Sequence, residues 1–297
     1  MKKRMFKPYG IIPAMVTPLD ENEALNESAL RRLVNHLIEG EVHGLFAIGS
    51  QGEFWAFDPE EKRRILEVVV DEAGRRVPVY GGTAAVSTRE AVALTCMAEE
   101  VGVDAVSVLT PFFVSPTPQE LYEHYAAIAR ATSLPIVLYS NPGRTGVSLT
   151  PETLAQLAQI ENIVGIKDSS GDLSLTAEYV RVTPDDFAVL MGRDTLILAG
   201  LLYGCAGAIA ATANVVPRLV VEIYERFQAG DLAGAQQAQE RLSPLRHAFG
   251  WGTFPVVVKE AANIIGLAAG PAGGPVGPMS EEARDRLAQV LRNLGVL

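Results

Sequence analysis

One lysine of the chain lies where its amine could act as a nucleophile. Lys167 directly follows the apolar run Ile163–Ile166, and it is the single lysine that falls inside an apolar, strand-like segment. An ammonium group at the end of a buried strand is partly desolvated, which favours the neutral amine. A neutral amine can attack a carbonyl carbon and form a Schiff base. The alternative is that Lys167 forms a structural ion pair with Asp168 or Glu53.

Three further segments offer groups that could assist such a reaction. Tyr139 ends another apolar run, and its phenol can donate and accept a proton; a buried tyrosine held by one backbone bond is the alternative. Ser50 and Gln51 lie between glycines in a turn-like sequence typical of carboxylate- or phosphate-binding turns. Arg144 lies in a Pro/Gly turn, where its planar guanidinium group could bind a carboxylate through two hydrogen bonds. The alternative is an exposed loop arginine, which is common in proteins.

Short apolar runs that could hold these residues alternate with helical segments along the chain. The runs lack polar alternation, as is typical of parallel strands buried on both faces. We predict eight strands: Gly10–Val16, Gly44–Ile48, Val77–Tyr80, Ala105–Leu109, Pro135–Tyr139, Ile163–Ile166, Phe187–Met191 and Gly207–Ile209. Eight strands, each followed by a helix, predict an α/β fold of the (β/α)8 TIM-barrel type, with the site at the carboxyl ends of the strands.

The last part of the chain reads as helical. We predict a barrel domain over residues 1–228 and a C-terminal helical domain over residues 229–297. The predicted C-terminal helices are Arg218–Gln228, Leu232–Phe249, Phe254–Ile265 and Glu281–Leu294, with Gly266–Pro278 as a connecting loop.

Composition excludes several classes of function. The chain has 297 residues, 35 acidic against 25 basic side chains and a formal net charge of −10, which argues against a nucleic-acid or anionic-membrane partner. No apolar run is long enough to span a membrane, and the start Met1–Arg4 lacks the apolar stretch of a signal peptide. Cys96 and Cys205 form no paired framework, so we expect a cytoplasmic protein.

A metal site is not predicted. The four histidines, His36, His43, His124 and His247, lie in or beside helices and form no HxH or HExxH motif. No Ser/His pair follows neighbouring strands, so a hydrolase triad is not indicated either.

Taken in order, these motifs resemble the dihydrodipicolinate synthase / N-acetylneuraminate lyase family. The resemblance covers essentially the whole chain. It rests on the segments Gly10–Pro18, Gly49–Glu53, Tyr139–Gly146, Gly165–Asp168 and Gly207–Val215. It implies a TIM barrel with C-terminal helices, a dimer or tetramer of identical chains, and no metal or organic cofactor.

The resemblance also implies roles for individual residues. Lys167 would form the imine with pyruvate, Tyr139 would transfer protons, and Ser50 would join the proton relay. Ser50 with Gln51 would bind the pyruvate carboxylate, and Arg144 would hold the carboxylate of aspartate semialdehyde. Gly192 and Ile209 match positions of the pocket wall.

Two departures from the family pattern concern the aldehyde partner. Ser50-Gln51 stands where the synthases usually carry Thr-Thr, and Phe112-Phe113 stands where they usually carry Tyr-Tyr. The second of those tyrosines completes a neighbouring subunit's relay, and phenylalanine cannot pass a proton. Phe54 and Val86 replace polar contacts of lysine-inhibited synthases, so feedback by lysine is not expected.

Two enzymatic functions therefore remain possible, and in both of them the chain would be a Schiff-base lyase. Arg144 favours a dihydrodipicolinate synthase of lysine biosynthesis, acting on pyruvate and aspartate semialdehyde. Phe113 and Gln51 favour an aldolase that cleaves a 2-keto-3-deoxy sugar acid or a 4-hydroxy-2-keto acid. A non-catalytic keto-acid-binding barrel is a third reading, but it would need neither Lys167 nor Tyr139.

Overall fold

The structure, a computed structural model, describes residues 6–297. The segment Met1–Arg4, used above in the argument about signal peptides, lies outside this part of the chain. The described residues form eight parallel strands: β1 Gly10–Pro13, β2 Leu45–Ala47, β3 Val79–Gly82, β4 Ala105–Leu109, β5 Ile136–Ser140, β6 Ile163–Asp168, β7 Ala188–Met191 and β8 Gly207–Ala210.

The strands close into a barrel with helices around it. The sheet order runs β1-β8-β7-β6-β5-β4-β3-β2, and a parallel bridge between Ala14 and Phe46 joins the first strand to the second. The predicted TIM barrel is therefore confirmed, and each predicted apolar run overlaps one of the strands, although β3, β5, β6 and β8 extend one or two residues beyond their runs.

Side chains fill the inside of the barrel. The inward-facing cluster consists of Ile12, Ala14, Phe46, Tyr80, Ala105, Val137, Val164, Leu190 and Ile209, all at most 4% exposed. Filled interiors of this kind leave the carboxyl ends of the strands as the place for a site. A second and larger core lies between the barrel and the helices.

Helices alternate with the strands along the barrel and continue after it. Their bounds are α1 Glu27–Glu39, α2 Pro59–Ala73, α3 Thr88–Val101, α4 Pro118–Arg130, α5 Pro142–Thr145, α6 Pro151–Leu157, α7 Leu173–Val182, α8 Ile197–Leu202, α9 Pro217–Gln228, α10 Leu232–Ala248, α11 Val256–Ile264 and α12 Glu281–Asn293.

The local sequence explains where several helices begin. Asp58 and Thr117 both form complete capping boxes. In each, the capping side chain accepts from the N–H of the third helical residue, and the glutamate at that position accepts from the N–H of the capping residue. A proline in the first turn follows each of them, where its missing N–H costs no helical bond. Ser87 accepts from the Glu90 N–H at the start of α3.

The C-terminal helices lie close to their predicted bounds. Helix α10 contains Pro244 and packs against α9. The segment 266–278 has no helix or strand, as predicted for a loop. The division of the chain into domains at residue 228 stays a prediction. Within residues 6–297, no helix is both long and apolar enough to cross a bilayer.

Candidate active site

The carboxyl ends of the strands surround a cavity of about 330 Å³. Every site residue named from the sequence lines it: Ser50, Gln51, Tyr139, Arg144, Lys167, Gly192 and Ile209. The structure thus brings together seven residues from six separate segments of the chain.

Lys167 and Tyr139 are neighbours because their strands pair in register. The two residues are direct partners across β5 and β6. Lys167 Nζ lies 4.3 Å from the centroid of the Tyr139 ring and 5.3 Å from that of Phe46. Both Lys167 and Tyr139 are buried, at 5% and 4% exposure. The amine and the phenol are therefore held together by backbone pairing at the bottom of the cavity.

The surroundings of Tyr139 stabilise its ionised form. Burial alone would raise the pKa of the phenol, but the charge of Lys167 opposes this effect. Hydrogen bonds from the side chains of Ser50, Asn141 and Ser169 also favour the phenolate, so the pKa of Tyr139 lies below its ordinary value. The amide nitrogen of Asn141 donates to the phenol oxygen at 3.0 Å. A phenol in this environment can give up and recover a proton more readily than a free tyrosine.

Lys167 does not form the structural ion pair that was its alternative reading. The carboxylate of Asp168 accepts from the Ser170 N–H at 2.9 Å and from Thr176 Oγ1 at 2.6 Å. Glu53 is bound instead to Lys259, at 2.8 Å. The sequence pattern did not single out Lys259, which lies on a helix of mixed polarity.

The turn after β2 carries Ser50 and Gln51 to the cavity. Both side chains are buried, and the amide nitrogen of Gln51 has no hydrogen-bond partner. A buried donor without a partner is costly unless a ligand satisfies it. The Gln51 amide is therefore suited to donate to an oxygen of a bound molecule.

Arg144 also lines the cavity and, unlike Lys167, is exposed to solvent. It belongs to α5, a single turn of helix after β5, and its guanidinium carbon lies 3.7 Å from the centroid of the Phe254 ring. Stacking on an aromatic face leaves the N–H groups at the edge of the guanidinium free to bind an anion.

Several cavity residues were not assigned a role from the sequence. Asn141, Ser169, Arg193 and Asp194 follow strand ends, which was the signal that could have found them. Arg246, Phe249 and Phe254 come from the C-terminal part of the chain, where no pattern indicated a site. In the described part of the chain, no group of three or more His, Cys, Asp or Glu side chains could hold a metal ion.

Phe113 contributes nothing to the cavity of its own chain. It is 97% exposed and has a φ of 71°, in the left-handed region. Phe112 instead packs edge to face against Phe54, with ring centroids 5.5 Å apart.

Comparison with known proteins decides the family. The family model described as "Dihydrodipicolinate synthetase family" matches residues 7–294. The chain belongs to the dihydrodipicolinate synthetase family. It is therefore an enzyme of a lyase family, whose members generally act through a Schiff base with pyruvate and without an external cofactor.

Individual members are similar over their full length. The 4-hydroxy-tetrahydrodipicolinate synthase of Methanopyrus kandleri is 41% identical over 294 residues, which is 98% of each chain. The crystal structure of dihydrodipicolinate synthase from Thermotoga maritima has a TM-score of 0.96 and 33% identity, and the match covers 98% of this chain and 100% of that one. A prophage protein of the dihydrodipicolinic acid synthase family from Escherichia coli K12, in complex with pyruvate, has a TM-score of 0.93 and 30% identity, covering 97% and 99%.

Proposed function

We propose that this chain is a 4-hydroxy-tetrahydrodipicolinate synthase that condenses pyruvate with aspartate semialdehyde through an imine at Lys167. The observation that carries the proposal is the pairing of a buried lysine with a tyrosine of lowered pKa, in a cavity that is also lined by Arg144. The names of the full-length relatives support the choice of reaction.

In the proposed mechanism, the lysine first forms the imine. The Lys167 amine attacks the keto carbon of pyruvate, and Tyr139 with Ser50 delivers a proton to the hydroxyl that leaves as water. The Tyr139 phenolate left by that transfer then removes a methyl proton, and the protonated imine accepts the electron pair of the broken C–H bond, which gives an enamine and restores the phenol. Covalent catalysis of this kind divides one difficult carbanion step into easier ones.

The enamine then forms the new carbon–carbon bond. Its terminal carbon attacks the aldehyde carbon, and the aldehyde oxygen takes up a proton from the Tyr139 phenol. The product leaves when the amino group of the former semialdehyde, or water, displaces Lys167 from the imine. Ser50 and Gln51 would bind the pyruvate carboxylate during these steps, Arg144 would bind that of the acceptor, and Gly192 and Ile209 would form the wall beside the imine.

An aldolase acting on a 2-keto-3-deoxy sugar acid or a 4-hydroxy-2-keto acid is the second candidate. It would use the same steps in reverse. Two observations favour it: Phe113 cannot relay protons, and Gln51 offers a buried amide donor without a partner.

We also propose a cytoplasmic homo-oligomer, a dimer or a tetramer. The free thiols of Cys96 and Cys205 fit a reducing compartment. The almost fully exposed ring of Phe113 fits burial against a second copy, since a large apolar side chain gains free energy when it leaves water.

Borohydride reduction in the presence of pyruvate tests the reaction class. Peptide mass mapping should find the reduced adduct on Lys167, and the other five lysines in the same digest serve as internal controls. Lys167→Ala should lose both adduct and turnover. A folded wild-type protein that forms no adduct would refute the proposal and favour a non-catalytic keto-acid-binding barrel. An active Lys167→Ala variant would also refute it, because catalysis would then not depend on an imine at Lys167.

Turnover with candidate substrates then separates the two enzymatic candidates. A synthase should consume pyruvate faster with aspartate semialdehyde than with glyceraldehyde. The reverse order, together with release of pyruvate from a 2-keto-3-deoxy sugar acid, would establish the aldolase.

A further inference from the structure

Three guanidinium groups meet at the open end of the cavity. Arg144 comes from α5, Arg193 follows β7, and Arg246 lies in the last turn of α10. Lys167 is buried at the other end, whereas each of the three arginines is partly or largely exposed. The arginines therefore surround the space that an acceptor aldehyde would occupy after pyruvate has bound to Lys167.

The three arginines are held in place without being neutralised. Arg193 Nε donates to the backbone oxygen of Ser169 at 3.0 Å. Arg144 stacks on Phe254, and Arg246 lies 5.4 Å from the centroid of the Phe249 ring.

None of the three has a carboxylate within ion-pair distance anywhere in residues 6–297. By contrast, other arginines in residues 6–297 are paired, such as Arg241 of α10 with Glu222 of α9 at 3.2 Å.

The charges are close enough to affect one another. Burial and the guanidinium groups of Arg193 and Arg246 hold the pKa of Arg144 below its ordinary value, against the opposite effect of Tyr139. Like charges repel one another, so the three guanidinium groups destabilise each other unless an anion binds among them.

One carboxylate lines the same cavity, and it is already engaged. Asp194 is 3% exposed, and its Oδ2 accepts from both the backbone N–H and the hydroxyl of Thr212, each at 2.7 Å. This end of the cavity therefore has three cationic side chains for one buried, hydrogen-bonded carboxylate.

We infer that the acceptor is recognised through its anionic groups alone, and that Arg246 and Arg193 bind these groups together with Arg144. The inference rests on the proposed function and deepens it. A carboxylate or another anion on the aldehyde can bind any of the three guanidinium groups. An ammonium group on the same molecule finds no free carboxylate in the cavity, because Asp194 is already bound to Thr212. Aspartate semialdehyde should bind through its carboxylate, and its amino group should add nothing to recognition.

Three aldehydes of similar size test this without any variant. Succinate semialdehyde keeps the carboxylate of aspartate semialdehyde but lacks the amino group, and butanal lacks both. The borohydride-reduced pyruvate adduct cannot condense, so binding to it reports acceptor recognition without the later steps in which the amino group takes part. We expect succinate semialdehyde to bind this adduct at least as tightly as aspartate semialdehyde, because the surrounding charge repels the ammonium group. Butanal should bind about 100-fold more weakly, since it forms no charge-assisted hydrogen bonds with the arginines.

A variant series assigns the effect to Arg246. Arg246→Ala should raise KM for both acidic aldehydes by about 10-fold, with no change in KM for pyruvate or in kcat/KM for butanal. Arg246→Lys should recover part of the loss. Arg241→Ala, on the same helix but paired with Glu222 at the surface, is the matched control and should behave as the wild type.

The outcomes separate this inference from the proposed function. If the pyruvate adduct forms at Lys167 but aspartate semialdehyde binds the reduced adduct 10-fold or more tightly than succinate semialdehyde, the acceptor's ammonium group is recognised, by Asp194 for example, and the inference alone fails. An equal effect of Arg246→Ala on acidic and neutral aldehydes would also overturn it. If no pyruvate adduct formed at Lys167, both the proposed function and this inference would be refuted.

Discussion

Lys259 and Glu53 form an ion pair that is completely enclosed in the protein. Their Nζ and Oε1 atoms are 2.8 Å apart, and the side chains are 1% and 0% exposed. Lys259 Nζ also donates to the Thr17 oxygen at 2.9 Å, and Glu53 Oε2 accepts from the Gly273 N–H at 2.7 Å. Helix α11 and the loop 266–278 are thereby attached to the residue that ends the Ser50-Gln51 turn.

Removal of one partner of this pair should destabilise the protein strongly. Lys259→Met leaves the Glu53 carboxylate buried without a counter-ion, so we expect the free energy of unfolding to fall by about 3–5 kcal/mol. Urea denaturation at neutral pH measures the change. The exposed pair of Arg226 and Glu222 is the control: Arg226→Ala should cost about 1 kcal/mol or less.

The double variant Lys259→Met/Glu53→Gln should recover part of that loss, because no buried charge then lacks a partner. If Lys259→Met were no more harmful than Arg226→Ala, the enclosed pair would contribute little to stability.

Tyr139→Phe should slow the reaction without preventing pyruvate binding. The variant retains the ring beside Lys167 but loses the phenol, and loss of a general acid/base costs about 10²-fold or more in kcat. Steady-state kinetics and the rate of borohydride trapping measure the effect. Tyr125→Phe is the matched control, because it removes another buried tyrosine hydroxyl, one that donates to the Val108 backbone oxygen outside the cavity. Equal rates in the two variants would remove Tyr139 from the mechanism.

His124 should make the protein less stable in mild acid. Burial lowers the pKa of His124 to about 4, below the value of about 6.5 expected for an unfolded chain. The unfolded state then binds the proton more readily, so the contribution to stability is complete above pH ~6.5 and is lost as the pH falls towards about 4.

The size of this contribution is at most about 3 kcal/mol. Unfolding free energies at several pH values should show a shallower dependence for His124→Gln than for the wild type. His247→Gln, on the exposed side of α10, should leave the wild-type slope in place. An unchanged slope in His124→Gln would contradict the prediction.

Cys205 should be inert in the folded protein. Burial, with the nearby charge of Asp168, raises the pKa of its thiol to about 12, and the residue is 6% exposed. Because the thiolate is the reactive form, iodoacetamide at pH 8 should label the half-buried Cys96 and spare Cys205 until the protein unfolds. Mass mapping with Cys96→Ser as the control measures this, and rapid labelling of native Cys205 would show that its surroundings open readily.

The barrel and the proximity of Lys167 to Tyr139 could be predicted because they depend on local patterns. Lys167 and Tyr139 each end an apolar run, and strands of a parallel barrel present their carboxyl ends on one face. Because the strand ends meet on one face, all seven predicted site residues line one cavity.

Other parts of the site depend on tertiary packing that leaves no pattern in the sequence. Arg246 and Phe254 reach the cavity because α10 and the segment after it fold back over the barrel. Lys259 lies on a helix, where a lysine usually faces water, and its burial depends on Glu53, which is 206 residues away in the chain. For the same reason, the suggestion that Glu53 could pair with Lys167 was wrong.

The separation between β5–β6 and α10 has a consequence for how this enzyme can change over generations. The proposed imine-forming residues Lys167 and Tyr139 lie on barrel strands, whereas Arg246 lies on a helix after the last strand. If Arg246 binds the acceptor as proposed, mutations on that helix alter which aldehyde is accepted and leave imine formation intact. A lineage could thus acquire a new substrate in small steps, each of which passes through a working catalyst.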